Sequence, residues 1–106
     1  MKNIKKAETV FLKDEIEYRD GQIVSKTLEQ NGHVSITLFS FEKDEEISAH
    51  TAGGDALVTV LDGTGKFVIN GIDHILATGE SIVMPANVPH SVYGQERFKM
   101  LLIVTF

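Results

Sequence analysis

Short runs in which apolar and polar residues alternate dominate this chain, and turn-forming residues separate the runs. A period of two is typical of β-strands with one buried face. The pattern predicts strands at residues 21–28, 33–41, 56–61, 66–70, 74–77, 81–84, 90–93 and 98–106. Two sequences, DGTG at 62–65 and NGID at 70–73, predict tight turns between neighbouring strands. No segment has the apolar spacing of a long helix, so the sequence predicts an all-β sandwich or small barrel.

The last predicted strand, residues 98–106, is apolar on both faces. Phe98, Met100 and Leu102 share one face, whereas Leu101 and Ile103 share the other. A strand of this kind is covered on both sides. One cover is the core of the domain, and the other is either the N-terminal segment, residues 1–20, or a second subunit. On this basis we expect a homodimer, with residues 1–20 as a candidate for its interface.

Size and composition narrow the classes of function. A chain of 106 residues predicts one domain, residues 1–106. The absence of cysteine excludes disulfides, thiolate nucleophiles and cysteine-ligated metals. It also favours the cytoplasm, as does the lack of an apolar signal segment after the basic start. A net charge of −5 without a basic block argues against nucleic acid and a membrane as partners.

Both prolines of the chain lie in one stretch, GESIVMPANVPH at residues 79–90. Pro85 has no N–H group to donate, so it ends the strand at 81–84, and a stiff loop then leads to His90. A histidine held in this way loses little side-chain entropy when it binds a ligand. Two interpretations follow: His90 is a binding group, or it is a core polar residue and the prolines only shape a corner.

The same stretch resembles the second sequence motif of the cupin superfamily. That motif runs glycine, five residues, proline, one residue, glycine, two residues, histidine, three residues, asparagine. Gly79, Pro85 and His90 match this spacing, while Asn87 stands at the second glycine and Gly94 at the asparagine. Asparagine tolerates a positive φ better than most residues, so Asn87 keeps the required backbone conformation available.

The first cupin motif is present in part in ISAHTAGGDALVTVLDG, residues 47–63. It has a His-x-His pair, then a glutamate, then a closing glycine. His50 matches the first histidine and Gly63 the glycine, whereas Ala52 stands at the second histidine and Ala56 at the glutamate, with Asp55 one residue early. The resemblance extends over residues 33–104.

The resemblance implies a cupin-like double-stranded β-helix, which is a jelly-roll barrel, with metal-ligand positions inside it. For this chain it implies His50 and His90 as ligands of a divalent transition metal, although zinc and iron sites use three or four protein ligands. Asp55 would supply a third ligand if the glycines before it form a bulge, because strand alternation otherwise points it outward. His33 and His74 follow turns and are expected to be ordinary polar positions, unless His74 faces the barrel mouth.

Three hypotheses about function involve the same pocket, which we expect to contain His50, Ala52, Ala56, Met84 and His90. The alanines enlarge this pocket and make it less charged, which favours a small-molecule-binding protein without a metal. The alternative is a metal-dependent enzyme of the dioxygenase or isomerase type, with His50 and His90 as ligands. A third hypothesis is metal-free acid–base catalysis by a histidine. The sequence identifies no substrate.

Overall fold

The computed structural model describes all residues, 1–106, and confirms the all-β prediction. The only helical segment is one 3-10 turn, Leu12–Asp14. The strands are β1 Ile23–Gln30, β2 Val34–Phe41, β3 Glu46–His50, β4 Asp55–Ile69, β5 Ile72–Ala77, β6 Ser81–Met84, β7 His90–Tyr93 and β8 Phe98–Thr105. None of its helices has the length and apolar character that crossing a membrane requires.

All strand pairs are antiparallel, and the sheet curls on itself to form a jelly-roll barrel with two walls. The first wall contains β1, β2, β8, the first part of β4, and β6. The second wall contains β3, β7, the last part of β4, and β5. The long strand β4 therefore belongs to both walls and fixes their relative position.

The continuity of β4 shows that one predicted turn was wrong. Residues 62–65 do not reverse the chain, and residues 56–61 do not pair with 66–70. Instead the register between β4 and β8 shifts between Val60 and Asp62, and Gly63 has a φ of 75°. A Cβ at Gly63 would overlap the carbonyl oxygen of Arg97, the residue just before β8. The Asp-Gly pair therefore supplies a bulge that bends the strand from one wall into the other.

The second predicted turn is confirmed at Asn70-Gly71. These residues have φ values of 50° and 79°, and Ile69 pairs with Ile72 across them. Two consecutive positive φ angles are typical of a two-residue type I′ hairpin. This hairpin places the end of β4 beside the start of β7, where His90 lies.

The core is densest at one end of the barrel. Phe41, Phe67 and Phe98 are fully buried there, with Phe41 stacked on Phe98 at 4.7 Å and Phe67 edge-on to Phe98 at 5.9 Å. Burial of each ring contributes roughly 2–3 kcal/mol through the hydrophobic effect. Because Phe98 begins β8, this cluster fills the end opposite the last residues of that strand and leaves space at the other end.

The N-terminal segment, residues 1–20, packs on the outer face of its own chain. Ile16 forms a buried cluster with Leu28 and Leu38, and Leu101 of β8 packs against this cluster. The segment therefore covers part of the outer face of β8, which was one of the two expected covers. The homodimer and the role of residues 1–20 in its interface stay predictions.

Tyr18 ties this segment to the bend in β4. Its hydroxyl donates a hydrogen bond to Asp62 Oδ2 at 2.6 Å, and the guanidinium of Arg97 lies 4.4 Å from the centre of its ring. Burial, together with the bond to Asp62, raises the pKa of Tyr18 above its usual value near 10. The N-terminal segment is thus held in place by polar contacts as well as by apolar packing.

Candidate functional site

A cavity of about 120 Å³ lies between the two walls, at the end of the barrel away from the phenylalanine cluster. Its lining is largely apolar, and the two imidazoles are its polar groups. The lining residues come from both walls: Phe39, Ile47, His50, Ala52, Ala56, Met84, His90, Val92, Met100, Leu102 and Val104. This composition suits an apolar ligand group that meets a few polar atoms at one side.

All five residues expected in the pocket line this cavity. Ala56 and Met84 are register partners on β4 and β6 and are nearly fully buried. His50 and His90 are register partners on β3 and β7. Ala52 lies in the loop that follows β3. These five residues therefore lie at one cavity, and their role in binding a ligand or a metal stays a prediction.

The loop between the prolines directs His90 into the cavity. Asn87 has a φ of 62°, as expected for its position in the motif, and the N–H group of Val88 donates to the carbonyl of Pro85 at 3.3 Å. A positive φ at the third residue is typical of a type II turn. The loop is further fixed by the bond from the N–H group of Asn87 to the carbonyl of Ala52 at 2.8 Å.

The two imidazoles lie side by side. Their ring centres are 4.4 Å apart and the ring planes make an angle of 65°. His90 is only 4% exposed, whereas His50 is exposed at the cavity mouth. His90 is therefore the inner and His50 the outer polar group of the cavity.

Backbone carbonyls determine which nitrogen of each ring is protonated. His50 Nδ1 lies 2.9 Å from the carbonyl oxygen of Ser48, and His90 Nδ1 lies 3.0 Å from that of Val88. A carbonyl oxygen can only accept, so each Nδ1 carries the proton and donates it. In the neutral rings, Nε2 is then left as an unprotonated acceptor. Both imidazoles can accept a hydrogen bond, take up a proton or donate a lone pair to a metal.

The residues present do not fit a metal centre with three or four protein ligands. Ala52 and Ala56 have no donor atoms, and no group of three or more His, Asp or Glu side chains is suitably placed. Asp55 is exposed, and its Oδ1 accepts a hydrogen bond from the N–H group of Ala86 at 2.8 Å. The side chain of Asp55 therefore points outward, as expected for the neighbour of the buried Ala56 on a strand, and its carboxylate holds the proline loop from outside the barrel.

The other two histidines lie outside the cavity. His33 is exposed in the turn between β1 and β2, where its backbone N–H group donates to Asn31 Oδ1 at 2.8 Å. His74 is half-buried on β5 opposite Phe67 and does not reach the cavity. Neither residue joins the imidazole pair.

The remaining cavity residues were not predicted as site residues. They are Phe39, Ile47, Val92, Met100, Leu102 and Val104. Alternation along the last strand was a usable signal for Met100, Leu102 and Val104, because they share its buried face. Ile47 gave no such signal, since β3 was not predicted as a strand.

Comparisons with known proteins give the family. Residues 37–104 match the cupin domain family, Cupin_2. A conserved protein of unknown function from Streptococcus pyogenes is 40% identical over 98% of this chain and 91% of its own, with a TM-score of 0.96. A cupin superfamily protein from Desulfitobacterium hafniense is 32% identical over 99% of this chain and 96% of its own, with a TM-score of 0.94.

A cupin 2 conserved barrel domain protein from Leptotrichia buccalis is 48% identical over 89% of this chain, with a TM-score of 0.88. This chain corresponds to 46% of that protein's length. Among curated proteins, no match is found. The family match and the identities over nearly the whole chain show that this protein belongs to the cupin domain family.

Proposed function

We propose that this cupin binds a small, largely apolar molecule whose hydroxyl or N–H group donates a hydrogen bond to the imidazole pair. The observation that carries the proposal is the pairing of His50 and His90 at one cavity, where each Nδ1–H group donates a hydrogen bond to a backbone carbonyl. Both acceptor nitrogens are then available to a ligand that supplies a proton donor. Such an arrangement binds without any metal.

The size and lining of the cavity define the apolar part of the ligand. A dry engineered cavity of about 150 Å³ is large enough to bind benzene. The cavity here has about 120 Å³ and opens beside the exposed His50, so a group of roughly five to seven carbon atoms fills it. Apolar surface buried there contributes about 25 cal/mol per Å².

The chain allows a direct test with phenol as the probe and toluene as its counterpart without a hydroxyl. Met84 and Met100 line the cavity, whereas Met1 is exposed and lies elsewhere, so isotope-labelled methionine methyl groups report on occupancy with an internal control. We expect phenol to shift the Met84 and Met100 resonances at lower concentration than toluene does, and to leave Met1 unchanged.

The matched variants are His90→Ala and His74→Ala. We expect the first to remove the preference for phenol over toluene and the second to keep it, because His74 lies outside the cavity. Equal affinity for both probes in the unchanged protein, or no response at Met84 and Met100 with either, would refute the proposed function.

A metal-dependent enzyme of the dioxygenase or isomerase type is the second candidate. The observation in its favour is that metal-binding histidines commonly donate a hydrogen bond from their other ring N–H to a carbonyl, as both histidines do here. The observation against it is the lack of a third ligand. Elemental analysis after incubation with divalent metals separates the two. Nearly one equivalent of bound metal per chain in the unchanged protein, and its loss in His50→Ala, would favour the metal-dependent enzyme.

We also propose that a second copy of the chain covers part of the outer face of the first wall, giving the expected homodimer. Leu57 of β4 pairs with Val83 of β6 on one side and with Ile103 of β8 on the other. Val83, Leu57 and Ile103 thus form an uncharged row across three strands. Leu57 is 39% and Val83 52% exposed, so residues 1–20 leave this part of the outer face uncovered. The location in the cytoplasm, and the expectation that neither nucleic acid nor a membrane is a partner, stay predictions.

A further inference from the structure

The first wall extends beyond the cavity as a surface of uncharged polar side chains, which we call the polar shelf. It is formed by residues on the inner face of β1 and β2: Ser25, Thr27, Gln30, Ser35 and Thr37. The register defines this face, because Phe39 lies opposite the cavity residue Met100, Thr37 opposite Leu102, and Ser35 opposite Val104. Ser25, Thr27 and Gln30 continue these rows on β1.

The polar shelf begins directly beside the cavity. Leu102 lines the cavity, Thr37 lies opposite it on the neighbouring strand, and Thr27 lies opposite Thr37 one strand further. Neighbouring strands are about 4.8 Å apart, so the two threonines lie roughly 5 and 10 Å from Leu102 along the row. A molecule with one end in the cavity therefore reaches them with only a few additional atoms.

None of the shelf side chains has a hydrogen-bonding partner within the protein, and none is charged. The charged neighbours on β1 lie on its other face, where Lys26 donates to the carbonyl of Glu15 and Glu29 pairs with the N-terminal amine. Thr27 and Thr37 are half-buried and Ser25 is exposed, so their hydroxyls are open to a ligand. A face with donors and acceptors but no charge is complementary to a neutral polar group.

We propose that the polar shelf binds the second half of the same ligand, through hydrogen bonds from Thr27 and Thr37 to a neutral hydroxyl- or carbonyl-bearing group. The ligand class is then an uncharged amphipathic molecule, apolar where it fills the cavity and polar where it leaves it. This proposal rests on the proposed function, because it requires the cavity to hold the apolar end.

Three probes test the proposal by calorimetric titration: phenol, para-hydroxyphenethyl alcohol and para-hydroxyphenylacetate. The alcohol adds a neutral polar tail to phenol, and the acetate adds a charged tail of similar length. We expect the alcohol to bind roughly fivefold more tightly than phenol, the gain of one or two ordinary hydrogen bonds, and the acetate to bind no more tightly than phenol.

The variants Thr27→Val and Thr37→Val keep the β-branched shape and remove the hydroxyls. We expect each to reduce the gain from the neutral tail and the double variant to abolish it, with the affinity for phenol unchanged. Thr27→Ser and Thr37→Ser retain a hydroxyl and should keep the gain, which separates a lost contact from a disturbed strand.

The outcomes distinguish this proposal from the proposed function. If phenol binds and the alcohol gains nothing, or if the gain persists in the double valine variant, the shelf proposal fails and the cavity assignment stands. If phenol does not bind, both proposals fail. If the valine variants change the oligomeric state in sedimentation instead of probe affinity, the shelf is a contact between copies of the chain and the proposal is overturned.

Discussion

Restoring the two missing side chains at the cavity should create a metal centre. Ala52→His and Ala56→Glu together complete the His-x-His, glutamate and histidine pattern that the family resemblance implies. Ala52 and Ala56 line the same cavity as His50 and His90, so new side chains at these positions project toward the imidazole pair. Four ligands of this kind suit zinc or cobalt.

The expected effect on stability has opposite signs without and with metal. Ala56 is only 2% exposed, so a carboxylate there is buried beside no cation, and we expect a loss of several kcal/mol in the unfolding free energy. A metal present at about a thousand times its Kd raises the free energy of unfolding by about 4.1 kcal/mol. At about 4–8 °C per kcal/mol for a domain of this size, metal should raise the Tm of the double variant by roughly 15–30 °C.

The assay is a thermal melt of the double variant with and without zinc, followed by the visible absorption of the cobalt form. Adding His50→Ala to the double variant is the control and should remove most of the metal response, because the centre then loses a ligand. The unchanged protein should show a shift of at most a few degrees. A folded double variant whose Tm does not respond to metal would refute the assignment of these positions to one site.

Three further predictions concern the fold and its assembly. Gly79 has a φ of 90° with open space around it, so Gly79→Ala should lower the free energy of unfolding, measured in urea, by about 1–2 kcal/mol through backbone strain alone. Gly63→Ala should lower it by about 4 kcal/mol, because the new Cβ would also clash with the carbonyl of Arg97. Equal losses in the two variants would contradict this account of the bend. Because the pKa of Tyr18 is raised in the folded state, the neutral hydroxyl of Tyr18 should stabilise the fold fully below about pH 10 and progressively less above it. In unfolding experiments at a series of pH values, Tyr18→Phe should make this decline in stability less steep. Val83→Lys places a charge in the proposed dimer interface and should shift the protein from dimer to monomer in sedimentation, whereas Ile75→Lys, on the other wall, should leave the dimer intact. A dimer in both variants would exclude the row of Val83, Leu57 and Ile103 as the interface.

Local patterns predicted most strands because turn residues separate them. β6, at 81–84, and β7, at 90–93, have the predicted bounds, since Gly79, Pro85 and Gly94 stand close to their ends. β3 was missed because it is an edge strand that pairs only with β7 and whose residues are largely exposed, so its sequence shows no alternation. The Asp-Gly pair at 62–63 was assigned to the wrong feature, since a positive φ serves a bulge as well as a hairpin.

Part of the cavity lining was predicted from the sequence, but the chemistry of the site was not. His50 and His90 were identified from motif spacing, and the structure pairs them across β3 and β7. The protonation of their rings depends on the carbonyls of Ser48 and Val88, which come within reach only through backbone geometry. The polar shelf is likewise visible only from the register of β1 and β2, because serine and threonine alternate in many exposed strands.

The residues that shape the barrel backbone differ from those that line its cavity, so the barrel forms without the full ligand pattern that the family resemblance implies. Gly63 allows β4 to approach β8, and Asn87 provides the positive φ of the proline loop, so both act through the backbone. Ala52 and Ala56 face the cavity and can change without altering either backbone feature. Resemblance in the backbone motif therefore predicts the barrel, whereas the cavity side chains decide what the barrel binds.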